Sequence, residues 1–148
     1  MKRRDFLKWT AVSSAGLALP VGLPLLGRVA QAARGPDLVV ARGASTPQAV
    51  RAALDALGGM RRFVGRGDVV VLKPNIGWDR APQYAATTNP DVVGTLAKLC
   101  FEAGAKKVRV FDNTVNDARR CYRQSGIADA AAAAGAEMVV MDGRKYRD

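Results

Sequence analysis

Four consecutive apolar residues, Val69-Val70-Val71-Leu72, closed by Lys73-Pro74, constrain this chain more than any other feature. A run of that length without polar alternation reads as a strand buried on both faces, the pattern of parallel sheets sandwiched by helices. Pro74 has no N–H for a neighbouring strand and ends the ladder. Lys73, Asn75 and the polar residues that follow therefore leave the sheet at the strand's carboxyl end. Ligands of open α/β sheets bind at that edge.

On either side of this run, strand and helix signals alternate. Leu38-Val39-Val40-Ala41 reads as a short strand. Thr46 then caps a helix with Pro47 in its first turn, and Val50, Ala53, Leu54 and Leu57 form one apolar stripe that Gly58-Gly59 stops. Asn89-Pro90-Asp91 opens a second helix, with Val93, Leu96, Ala97 and Cys100 on one face, and Gly104 closes it. Val108, Val110 and Phe111 make the next strand, which exits into Asp112-Asn113-Thr114-Val115-Asn116-Asp117. A short helix over Ala118–Gln124 follows, then an alanine-rich helix from Ile127 to Gly135 with Ser125 as its cap, and a last strand Met138–Met141 ending at Asp142-Gly143. The succession predicts an α/β fold: an open, mostly parallel sheet with helices on both faces. Four strands make a narrow sheet whose last member has nothing after it to cover it, so the expectation is an incomplete domain.

The first 32 residues read as an address. Lys2, Arg3, Arg4 and Lys8 make a basic start, no charge follows from Trp9 to Gly27, and Ala30-Gln31-Ala32 presents small residues at the positions a signal peptidase reads. Arg3-Arg4-Asp5-Phe6-Leu7-Lys8 resembles the twin-arginine export signal, with Lys2 where Ser or Thr is usual. Cleavage after Ala32 leaves residues 33–148 as the α/β domain. Pro20, Pro24 and several Gly and Ser argue against a stable membrane span, and the resemblance implies a periplasmic or otherwise exported protein, carried across already folded.

Composition excludes several chemistries. The chain has no histidine, hence no Ser-His-Asp or Cys-His nucleophile and no His-ligated zinc. Cys100 and Cys121 are its two cysteines, without CxxC spacing. Cys100, on an apolar helix stripe, reads as a packed thiol, and no disulfide between the two is expected. No GxGxxG or GxxxxGK[ST] cradle occurs. The net charge of +10 falls to +6 once the first 32 residues, with five Lys or Arg and one Asp, are set aside. The remaining cations are scattered and lack interleaved aromatics, so no nucleic-acid partner is indicated.

Parallel topology places the strand exits at residues 73–75, 112–114 and 142–143 on one edge. There Lys73 and Asp112 are the candidate catalytic pair, with Asn75, Asn113, Thr114, Arg119 and Arg120 as candidate ligand-binding groups. Such a set holds a carboxylate or phosphate on its cations while Asp112 binds a metal or moves a proton; whether a metal binds stays open. The alternative for Asp112 and Asn113 is turn formation, and for Asn89 a helix cap. Lys73 ends a fully apolar run and is expected to be partly desolvated, so it calls for an anion. On that basis Lys73→Met should leave folding little changed. Trp78 and Tyr84 either wall a pocket or pin the loop.

Val71-Leu72-Lys73-Pro74-Asn75, Ala86-Thr87-Thr88-Asn89-Pro90, Gly104-Ala105, the strand from Val108 to Asp112, Arg119-Arg120-Cys121-Tyr122 and Ser125-Gly126-Ile127 together resemble the domain of unknown function family 362. The likeness covers about Leu38 to Asp142, the first part of the family's longer domain. It implies a largely uncharacterised activity, in some relatives joined to ferredoxin-like iron–sulfur modules; this chain has no cysteine cluster to match, and its cofactor is undetermined. Two function classes stay open. One is an exported enzyme or enzyme part acting on a small anionic substrate, with a redox link left open by the iron–sulfur modules of some relatives. The other is a non-catalytic binding or accessory module, or a fragment that needs a partner chain or the missing C-terminal half.

Replacing Arg3 and Arg4 together by Lys should hold the precursor in the cytoplasm, checked by fractionation and by the size of the processed form. Export of the double variant at the parental level would contradict the twin-arginine assignment.

Overall fold

The computed structural model describes residues 35–141. The export signal with its Ala32 cleavage site lies outside them, as do Asp142, Gly143 and the residues to 148.

Helix α1 spans Thr46–Ala56 and begins one residue earlier than the sequence suggests: Ser45 is its extended N-cap, and Pro47 sits in the first turn. Gly58 and Gly59, at φ 99° and 79°, turn the chain into a 3-10 turn at Met60–Arg62. Strand β1 spans Val69–Leu72, and helix α2 spans Pro90–Ala103. Asn89 caps α2 by accepting the Asp91 N–H at 2.8 Å, and Gly104 ends it at φ 108°. Both signals are local, because each answers the unpaired backbone groups of one helix end. Strand β2 spans Lys107–Val110, and helices α3 and α4 span Ala118–Gln124 and Ile127–Ala133. Strand β3, Glu137–Met138, is shorter than the expected run to Met141, although Val139 N–H still donates to Val110 O.

The sheet is parallel in the order β1-β2-β3, with Val70 opposite Val108 and Val110 opposite Met138. The fold is thus α/β with an open parallel sheet. Among the described residues it has three strands: Leu38–Ala41 forms no strand, and Leu38 and Val40 are each 80% exposed. An apolar run becomes a strand only where another strand accepts its N–H and C=O groups. Among the described residues β1 pairs with β2 alone.

One sheet face carries the core. Val108 and Val110 lie against Val93, Ala97 and Cys100 of α2 and Ile127 and Ala131 of α4, with Val70, Leu72 and Met138 packed at the margin. The expected burial of β1 on both faces does not occur among the described residues, since Val69 is 55% and Val71 51% exposed. Their β2 partners in register are Lys107 and Arg109. Both cations pair with Glu137 of β3, so this face presents a charge ladder to solvent.

Helices α2 and α4 approach so closely that a Cβ at Gly94 would lie 3.3 Å from Ala130 O and 3.5 Å from its Cβ. Gly94→Ala should be near neutral, because relief of glycine's helix penalty of about 1 kcal/mol offsets the small shift required. Gly94→Leu should cost about 1–3 kcal/mol by wedging the helices apart, measured by urea unfolding. A Leu variant as stable as the parent would show that this contact yields.

Candidate ligand site at the strand carboxyl ends

Two strand exits meet at Asp112. Phe111 N–H donates to Leu72 O and carries the β1–β2 ladder one residue past the strands. That extension delivers the Asp112 carboxylate beneath the loop that follows β1. Its side chain is only 6% exposed. Oδ2 accepts the Ile76 N–H at 2.7 Å, and Oδ1 pairs with Lys73 Nζ at 2.7 Å. Burial pushes the carboxyl pKa up, but the hydrogen bond from Ile76, the bond and charge of Lys73 and the Asn113 N–H outweigh it, so the group titrates below the ordinary aspartate range. The Asp112 backbone is also held: its N–H donates to Tyr122 Oη, which lies within reach of both Asp112 O and Val139 O.

The desolvation expected of Lys73 therefore falls on its partner. The Lys73 side chain is 64% exposed, with Nζ anchored at one corner and otherwise open. Asn75 folds into the same loop: its Oδ1 accepts the Gly77 N–H, its N–H donates to Thr88 Oγ1 at 2.9 Å, and its carbonyl accepts the Thr88 N–H.

The remaining candidates gather elsewhere. Arg120 pairs with Asp79 at 2.6 Å, and Asn116 Nδ2 donates to the other Asp79 oxygen. The Asn116 bond, opposed by partial burial and aided by Arg120, holds the Asp79 carboxyl below its usual range. Arg120 is thus engaged within the chain. Thr114 Oγ1 donates to Asn116 O, and Asn113 and Arg119 are exposed. The structure brings Lys73, Asp112 and Asn75 together and ties the 114–120 segment to Asp79. Asp79, Tyr122 and the Ile76 N–H escape the sequence reading. Ala118, Cys121, Tyr122 and Ser125 do recur at helical spacing, and that stripe points Tyr122 inward.

Beside Lys73 lies a cavity of about 380 Å³ between the end of β1 and the first turns of α2, lined among others by Leu72, Asn75, Thr88, Val92 and Leu96. Trp78 and Tyr84 are exposed and do not line it. Cys100 and Cys121 are buried and unbridged, and burial pushes both thiols up. Among the described residues no group of three Asp, Glu or Cys side chains converges as a metal cage would require. No helix among them is long and apolar enough to cross a membrane.

Because the folded Asp112 pKa is depressed, its contribution to stability is complete above the ordinary aspartate value and is lost as pH falls through the folded value. Asp112→Ala should cost about 1–3 kcal/mol near pH 7 by orphaning the Ile76 N–H, and the deficit should begin to shrink below about pH 4, where the carboxyl of the unfolded chain takes up a proton, and go on shrinking as pH falls through the lower folded value. Lys73→Met should cost about 1 kcal/mol at pH 7, in place of the neutrality expected from sequence, since it leaves a buried charge short of a partner. Urea melts across pH 3–7 check both, and a pH-independent deficit for Asp112→Ala would refute the electrostatic account.

A twin-arginine translocation signal sequence matches residues 1–20, which marks the protein for export. The "Thylakoid-associated protein sll1697" of Synechocystis sp. is 34% identical over 97 residues, covering 66% of this chain and 30% of that protein. The chain thus spans under a third of the curated relative it matches. No solved structure matches significantly. The profile described as "Domain of unknown function (DUF362)" matches residues 70–148, a stretch that opens within β1 and takes in Lys73, the buried Asp112 and the parallel sheet between them, and the chain belongs to this family.

Proposed function

We propose that the protein works in the periplasm and binds a small anionic substrate at the carboxyl edge of its sheet, with Lys73 as the group that touches the ligand and Asp112 as the residue that positions it. The observation that carries this reading is an exposed ammonium anchored to a buried carboxylate. An ammonium has three N–H donors, and Asp112 engages one, leaving the others directed to solvent. Asp112 has both oxygens occupied by Ile76 and Lys73. Its depressed pKa keeps it ionised at neutral pH, so it serves as a fixed counter-charge rather than a poised base. An anion docking on Lys73 completes a carboxylate–ammonium–anion row, in which Lys73 polarises whatever bond the anion carries. The placement accords with the general rule for open α/β sheets.

Thermal shift of the full chain against phosphate, sulfate and small carboxylates tests the proposal. An anion at a hundredfold its Kd adds about 2.7 kcal/mol and raises the midpoint by several degrees. Lys73→Met should remove that rise, whereas Arg119→Met should keep it. The reading fails if no anion shifts the parent, or if Lys73→Met responds as the parent does.

A further inference from the structure

We infer that the cavity beside Lys73 receives the apolar body of the ligand, so that the substrate class is a small organic anion with a hydrocarbon chain or ring. This inference rests on the proposed role of Lys73 and narrows it. The polar rim consists of Lys73, Asn75 and Thr88. Each side-chain oxygen already accepts one hydrogen bond: Asn75 Oδ1 from the Gly77 N–H, and Thr88 Oγ1 from the Asn75 N–H. Against these, the side chains offer a ligand the Lys73 ammonium, the Asn75 amide N–H groups and the Thr88 hydroxyl proton as donors. A rim headed by an ammonium and side-chain donors suits an anionic end better than a cation, and no carboxylate among the described residues lines the cavity.

The walls have the opposite character. Leu72 of β1 and Val92 and Leu96 of α2 are half-buried, and Val71 is exposed, although all four line one concavity. Val92 and Leu96 stand four residues apart on α2, hence on one helix face. Their apolar surface stays in contact with water until something covers it. At about 380 Å³ the space lies near the small end of ligand sites. An inorganic anion would satisfy the rim and leave the wall wet; a neutral hydrocarbon would cover the wall and leave the donors without acceptors.

The test is a titration of the full chain with acetate, butyrate, hexanoate and octanoate, with hexanol as the uncharged control, all below micellar concentrations. Binding should tighten about fourfold for each methylene that enters the cavity, and hexanol should bind at least tenfold more weakly than hexanoate. Leu96→Phe fills the wall and should flatten the length dependence while acetate binding persists. Val92→Phe, at a half-buried α2 position that also lines the cavity, makes the same test if the Leu96 variant does not melt cooperatively. Equal binding of all four carboxylates overturns the cavity assignment and leaves Lys73's role intact. Hexanol binding as tightly as hexanoate overturns the anionic end. Absence of binding by every carboxylate, together with absence of any phosphate or sulfate response, overturns both readings.

Discussion

A carboxylate removed from water must be compensated where it sits, and the arrangement of this domain's working edge follows from how Asp112 meets that requirement. The compensation comes from the loop after β1, through Ile76 N–H and Lys73, so a residue on one strand exit dictates the path of another. The same pairing fixes strand alignment. A slip of β2 by two residues would keep Val108 and Val110 facing the core, yet it would carry the carboxylate about 6.6 Å along the strand, out of reach of the Ile76 N–H. Hydrophobic burial alone does not distinguish the two registers; the buried charge does.

Features written in a few adjacent residues were legible in the sequence. Asn89-Pro90-Asp91 and Gly104 mark the ends of α2 because capping is local chemistry, and Lys73-Pro74 ends β1 because proline cannot donate. Features that depend on what lies alongside were not legible. Leu38–Ala41 has the composition of a strand but no strand beside it among the described residues. The unbroken Val-Val-Val-Leu run hides an alternation of exposure that the neighbouring Lys-Val-Arg-Val of β2 states openly; reading β2 first would have identified the solvated face. Parallel topology put Lys73 and Asp112 on one edge, but only the tertiary structure decides which of the two is buried. The Asp79, Asn116 and Arg120 cluster joins residues 37 and 41 positions apart, and no local pattern announces it.

The two ion pairs at the edge divide its cations by task. Arg120 is bound to Asp79, itself held by Asn116, and braces the 114–120 segment against the loop from Gly77 to Asp79. With its Arg120 side open to solvent, a bridge of this kind contributes little stability, and its value lies in geometry. Lys73 is tethered at one end to a buried anchor and leaves the rest of its side chain in solvent. Rigid bracing beside a partly free cation is an arrangement in which a ligand can be met without the loop having to be built around it.

The alanine tract of α4 looks, as text, like the least informative stretch of the chain. Its approach to Gly94 gives it a different meaning: where backbone and methyl group lie 3.3 and 3.5 Å from a missing Cβ, monotony is a tolerance. Side-chain bulk on that face sets the spacing of two helices and, through them, the height at which α2 rides over the sheet. Since Val92 and Leu96 belong to α2, a tract that carries no chemistry of its own acts as a shim beneath one wall of the cavity. Drift from alanine to larger residues would therefore alter the cavity's width before it altered the fold.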